Sequence, residues 1–174
     1  MRLDLRALLS ALAAVAALTT VPYAGAAVPA PRVGVAGLNG LPQPLPLPYD
    51  ERADAARQVA QARARARAEG KRLLIDLGGN WCPDCRVLAG VMALPEVAAF
   101  LRRHYVTVYV DVGRLDRNTQ IARRYGIERL TGVPAVLVVD PRSDRLLNPG
   151  RTFALADARN MTPQALADWL AQWL

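Results

Sequence analysis

Apolar positions along this chain follow two different periods. Lys71 to Leu77 carries the run Leu73-Leu74-Ile75-Asp76-Leu77, bounded by Gly70 and Gly78-Gly79, and predicts a buried strand. Tyr105 to Val112 (Tyr-Val-Thr-Val-Tyr-Val-Asp-Val) is β-branched and aromatic and predicts a second. Pro134 to Val139 reads as a third, Pro141 to Asp144 as a turn, and Leu146-Leu147 as a short returning strand. Between these runs the period lengthens. Glu51 to Glu69 is made of strong helix formers closed by Gly70. Arg63, Arg65 and Arg67 alternate with alanines there, which spreads charge around the helix and leaves an alanine-rich packing side. A helix from Cys82 is interrupted at Pro95 before a second stretch, Glu96 to Arg103, and Asn118 is the expected N-cap of a short helix through Arg124. Thr162-Pro163 opens a last helix with Leu166, Trp169, Leu170 and Trp173 at i, i+3, i+4 and i+7, which marks the tryptophans as core. The order is helix, strand, helix, strand, helix, strand, strand, helix. A parallel βαβ unit followed by an antiparallel hairpin gives an α/β fold, a central mixed β-sheet flanked by helices.

The first 49 residues differ in kind. Residues 1–26 join a weakly basic start (Arg2, Arg6, with Asp4) to an apolar stretch, Ala7 to Leu18, and the small-residue pattern Ala24-Gly25-Ala26. That is the pattern of a cleavable signal peptide, and the stretch is short for a membrane span. It predicts a soluble, periplasmic mature chain from Ala27. Residues 27–49 hold Pro29, Pro31, Pro42, Pro44, Pro46 and Pro48 and predict an extended, partly polyproline segment. Such a segment is expected to link or to pack along the domain rather than fill a partner's groove. Residues 50–174 form one domain with enough chain for a core.

The formal charge of +7 does not make a nucleic-acid reader, because no basic stretch is interleaved with aromatics. It fits solubility or weak attraction to acidic surfaces. No phosphate loop, Ser-His-Asp order or metal spacing is present. Two cysteines and the single histidine, His104, supply at most three zinc ligands, so no metal and no cofactor is expected. His104 reads as a surface residue.

Chemistry concentrates in Trp81-Cys82-Pro83-Asp84-Cys85, which holds both cysteines. With Cys82 at the first turn of a helix, Cys85 lies one turn on, with Cα atoms roughly 5 Å apart, within disulfide reach. The helix N-terminus favours the Cys82 thiolate, the nucleophilic form. Cys82 is nearer the helix start and expected to be the more exposed. A purely structural bridge is disfavoured, since so short a loop constrains little of the unfolded chain. Asp84 places a carboxylate beside the thiolate. Like-charge repulsion would raise the thiol pKa and make the pair a stronger reductant. The alternative is a surface carboxylate at the helix start, screened by solvent.

This order of elements, with Trp-Cys-x-x-Cys after the first strand, resembles the thioredoxin fold. Leu74 to Cys85 resembles the active-site segment of that superfamily, and Gly132-Val133-Pro134-Ala135 resembles its cis-proline loop. The likeness runs from about Ala53 to the C-terminus and is similar to exported bacterial thioredoxin-like proteins and the soluble C-terminal domain of DsbD-type carriers. Pro83-Asp84 replaces the Gly-Pro of ordinary thioredoxin, so redox tuning is expected there. The resemblance implies that Asp76 is a buried acid taking the Cys85 proton through a water. It implies that Pro134 is cis, that the Val133 backbone pairs with an extended substrate segment, and that Trp81 walls the same groove. Asn80 and the two glycines shape the approach.

The expected activity is thiol:disulfide exchange on protein disulfides, leaning to reduction, by a monomer recharged from a membrane thiol donor. The alternatives are a disulfide oxidase or isomerase, and a redox-controlled binding protein or assembly chaperone that does not turn over.

Overall fold

The computed structural model describes residues 28–174, so the signal-peptide reading of residues 1–26 lies outside the described residues. The domain comprises α1 (Ala55–Glu69), β1 (Arg72–Gly78), α2 (Pro83–Met92), α3 (Pro95–His104), β2 (Tyr105–Asp111), α4 (Thr119–Arg124), β3 (Ala135–Asp140), β4 (Arg145–Leu146) and α5 (Pro163–Ala171). The sheet order is β2-β1-β3-β4. β1 runs parallel to β2, with Asp76 opposite Tyr109, and antiparallel to β3, with Asp76 opposite Val136. β3 and β4 close the antiparallel hairpin. This is the mixed, helix-flanked sheet that the pattern of elements predicts.

Alternation along β1 divides the core. Leu73, Ile75 and Leu77 pack with the α1 residues Ala55, Val59, Ala62 and Ala66. Leu74 joins the other layer, where Leu88 and Val91 of α2, Val97 of α3 and Leu166 and Leu170 of α5 meet. The small residues on one side of α1 let it lie close to the sheet, while Arg65 faces outward to Glu69 and Arg63 reaches Asp144. Trp169 is buried and stacks edge-on with Trp173, centroids 5.4 Å apart.

Two helix starts differ from expectation. α1 begins at Ala55 rather than Glu51 because two aspartates turn the backbone before it. Asp50 Oδ1 accepts from the Arg52 N–H at 2.9 Å, and Asp54 caps the helix by accepting from the Arg57 N–H at 3.0 Å. Asn118 does precede α4, but not as a side-chain cap. It sits at φ +53° and donates its amide to the Asp111 carbonyl at 2.7 Å, tying the loop back to β2. Thr162 caps α5 as expected, accepting from the Ala165 N–H at 3.1 Å.

The proline-rich segment lies against the domain. Gln164 of α5 accepts from the Val33 N–H at 2.9 Å and donates to the Pro31 carbonyl at 3.0 Å. Glu96 of α3 accepts from the Gly34 N–H at 2.7 Å. Leu41 is buried over α2, where a Cβ on Gly90 would stand only 2.8 Å from Leu45 Cδ2. Gly90 is the clearance that admits the segment.

Candidate active site

β1 ends at Gly78, and the chain turns through Gly79, Asn80 and Trp81 to deliver Cys82 as the N-cap of α2. Pro83 occupies the first helical turn, where its missing N–H costs nothing. The Cys82 sulfur performs the cap, accepting from the Cys85 N–H at 3.2 Å. On its other side the Cys82 thiol faces the Val133 carbonyl at 3.5 Å. The Val133–Pro134 peptide bond is cis, which agrees with the expectation drawn from the resemblance. Both cysteines are free thiols.

The pair is electrostatically split. Hydrogen bonding from the Cys85 thiol, reinforced by the N–H groups of Cys85 and Asp84, pulls Cys82 down to about 7 against the opposing effect of burial. The same thiol–thiol hydrogen bond, followed by burial, pushes Cys85 up. One sulfur is therefore prepared to ionise near neutral pH while the other holds its proton.

Asp76 lies behind the pair, fully buried, with neither carboxylate oxygen in good hydrogen-bond geometry with a partner. Burial raises it to about 7, opposed by partial hydrogen bonding from the Tyr49 hydroxyl. An acid with that balance can hold a proton or release it at neutral pH.

Residues 54–141 match the thioredoxin-like family. A solved structure of a disulphide isomerase from Xylella fastidiosa Temecula1 is similar at 38% identity, covering 73% of this chain and 96% of that one, with a TM-score of 0.67. The chain belongs to the thioredoxin-like family. A thioredoxin from Thermus thermophilus is similar at 23% identity over 60% of this chain and 72% of that one, TM-score 0.42. No curated protein matches the chain.

Within this thioredoxin-like site, one expectation holds and one needs correction. Cys82 is the more exposed of the pair, as expected, but keeps only 3% of its surface against none for Cys85, because its sulfur is tucked between the α2 N-terminus and the Val133 loop. Asp84 is not a bare charge beside the thiolate. It is 7% exposed; its Oδ1 accepts from the Arg159 backbone N–H at 2.9 Å, and Arg159 Nε lies 3.1 Å from Oδ2. Among the influences on Cys82, repulsion from Asp84 is the smallest.

Trp81 is 40% exposed beside Cys82, its indole N–H donating to the Gly113 carbonyl at 2.7 Å and its face covered by the Arg114 guanidinium at 4.5 Å. That fixes an apolar wall next to Cys82. His104 ends α3, stacks on Phe100 and lines a 430 Å³ basic depression with Arg72, at the opposite end of β1 from the cysteines. Two residues at the site were not identified from sequence. Arg159 comes from a short 3-10 helix, Ala158–Asn160, far along the chain and carries no motif. Tyr49 ends the proline-rich segment, and its only signal is an aromatic residue closing that run.

Proposed function

We propose that this chain is an exported, periplasmic thiol:disulfide oxidoreductase that reduces protein disulfides with Cys82 and Cys85. The observation that carries the reading is the asymmetry of the pair. Cys82 caps α2 beside the cis Val133–Pro134 loop and is drawn below the ordinary thiol range, while Cys85 is fully buried and held above it.

The Cys82 thiolate attacks a substrate sulfur, forms a mixed disulfide and expels one substrate thiolate. Cys85 then gives its proton to Asp76 and attacks Cys82 Sγ. The Cys82–Cys85 bond forms, the mixed disulfide breaks, and the second substrate thiolate leaves and is protonated from water. Two electrons pass from the pair to the substrate. Trp81 and the Val133–Pro134 loop receive the extended substrate segment, and Pro83 and Asp84 tune the pair through the first turn of α2. No cofactor or metal enters these steps. The protein acts as a monomer, and a membrane thiol donor recharges it in the oxidising compartment.

Likeness to the Xylella isomerase supports a second reading, reshuffling of substrate disulfides by the same nucleophile. Reduction of insulin by the mature chain under a thiol recharging system tests the proposal. Turnover lost in Cys82→Ser supports it; binding of unfolded proteins without turnover in the unaltered chain would leave a redox-controlled binding protein instead.

A further inference from the structure

The proline-rich segment ends inside the active site. Tyr49, 2% exposed, is held through its backbone by one side chain: Asn80 Oδ1 accepts from the Tyr49 N–H at 3.1 Å, and Asn80 Nδ2 donates to the Tyr49 carbonyl at 2.8 Å. Asn80 belongs to the loop that delivers Cys82. The Tyr49 ring packs edge-on against Tyr109 with centroids 5.6 Å apart, and Tyr109 is the β2 residue opposite Asp76. Backbone and ring are thus both fixed, which fixes the hydroxyl.

That hydroxyl converges with Cys85. A Cβ on Gly78 would stand 2.5 Å from the Tyr49 oxygen and 2.8 Å from Cys85 Sγ, so both atoms close over the same glycine. The Tyr49 oxygen is buried without a well-formed hydrogen bond, and so are both oxygens of Asp76. A buried polar atom left in that condition is costly and calls for an explanation.

We propose that Tyr49 is the proton relay between Cys85 and Asp76. The inference rests on the reductive reading above. In the mixed disulfide, Cys85 S–H passes its proton to the Tyr49 oxygen as the Tyr49 O–H passes its own to the Asp76 carboxylate. Tyr49 stays neutral, Asp76 becomes the acid, and the Cys85 thiolate attacks Cys82 Sγ, expelling the substrate thiolate. Burial, with Asp76 and Cys85 nearby, holds the phenol well above its ordinary pKa, which suits a group that relays a proton without ionising. The titratable groups around Asp76 are Tyr49 from the segment, Cys82 and Cys85 from α2, and Tyr109 from β2.

Tyr49→Phe in the full mature chain removes only the oxygen. Two readouts separate the relay from a structural role. In single turnover against 5,5′-dithiobis(2-nitrobenzoate), the first thionitrobenzoate released reports attack by Cys82 and the second reports resolution by Cys85. The variant is expected to keep the first phase and slow the second by about tenfold or more. A carbon NMR titration of the Asp76 carboxyl should move its midpoint to higher pH by roughly one unit, through loss of a hydrogen bond to the charged form. An unchanged second phase would overturn the relay whatever the Asp76 titration shows, and a slowed phase with an unchanged titration would reduce Tyr49 to a structural role. If the unaltered protein gives no second phase, the reductive reading fails with it; the Asp76 titration still decides whether the hydroxyl serves the carboxylate, since it needs no turnover.

Discussion

Arg159 closes over Asp84: its guanidinium Nε lies 3.1 Å from one carboxylate oxygen while its backbone N–H donates to the other at 2.9 Å. The negative charge between the two cysteines is therefore answered from the 3-10 helix Ala158–Asn160 that follows β4. The N–H groups of α2 and the Cys85 thiol are left to set the Cys82 sulfur. Arg159→Ala removes the answer and should raise the Cys82 midpoint, read as the pH dependence of alkylation by iodoacetamide. The rise should be about half a unit, because Arg159 is 56% exposed and solvent screens the released charge. Asp84→Asn should move the midpoint the other way.

Gly78→Ala should disturb the site while leaving both cysteines in the sequence. The added methyl would meet the Tyr49 oxygen at 2.5 Å, its ring carbon at 2.7 Å and Cys85 Sγ at 2.8 Å. Overpacking of that kind costs roughly 1–3 kcal/mol, so the urea midpoint should fall with an unchanged slope. The resolving step should slow as Cys85 is displaced.

Asp76 makes stability depend on pH. Its folded pKa, about 7, lies above the ordinary 3.8, so the folded state keeps a proton that the unfolded chain gives up. Stability from this group is complete below about pH 4 and is lost as pH rises through about 7. The loss is roughly 4 kcal/mol across that window. Urea unfolding of the reduced protein should show this decline, and Asp76→Asn should flatten it. A parent and variant with parallel pH profiles would contradict a buried, proton-holding acid.

Cys85→Ser should trap a mixed disulfide between Cys82 and a protein substrate, stable on non-reducing gels and released by dithiothreitol. Cys82→Ser should trap little, because the remaining sulfur is fully buried and holds its proton.

The sheet, its order of elements and the cysteine pair were all legible in the sequence, because each rests on a local pattern. Leu73 to Leu77 and Tyr105 to Val112 announce themselves as strands, and two cysteines one helical turn apart leave few readings. The caps were less legible. Asn118 reads as an N-cap by type, yet its amide is drawn to the Asp111 carbonyl, a tertiary contact that no local pattern reports. The same limit explains Asp84. A carboxylate next to a thiolate has a clear sign in sequence, but its size depends on Arg159, which only the fold brings near. Tyr49 was hidden for a related reason. Composition marks residues 27–49 as extended, and nothing in composition says that such a segment ends in the core beside Asp76.

The most direct test is the reduction potential of the Cys82–Cys85 pair in the mature chain, by equilibration with thiol buffers of known poise. A potential near that of thioredoxin, about −270 mV, is the predicted result for a reductase. A potential near −120 mV, that of a strong disulfide donor, would mean a far more stabilised thiolate and would contradict the account.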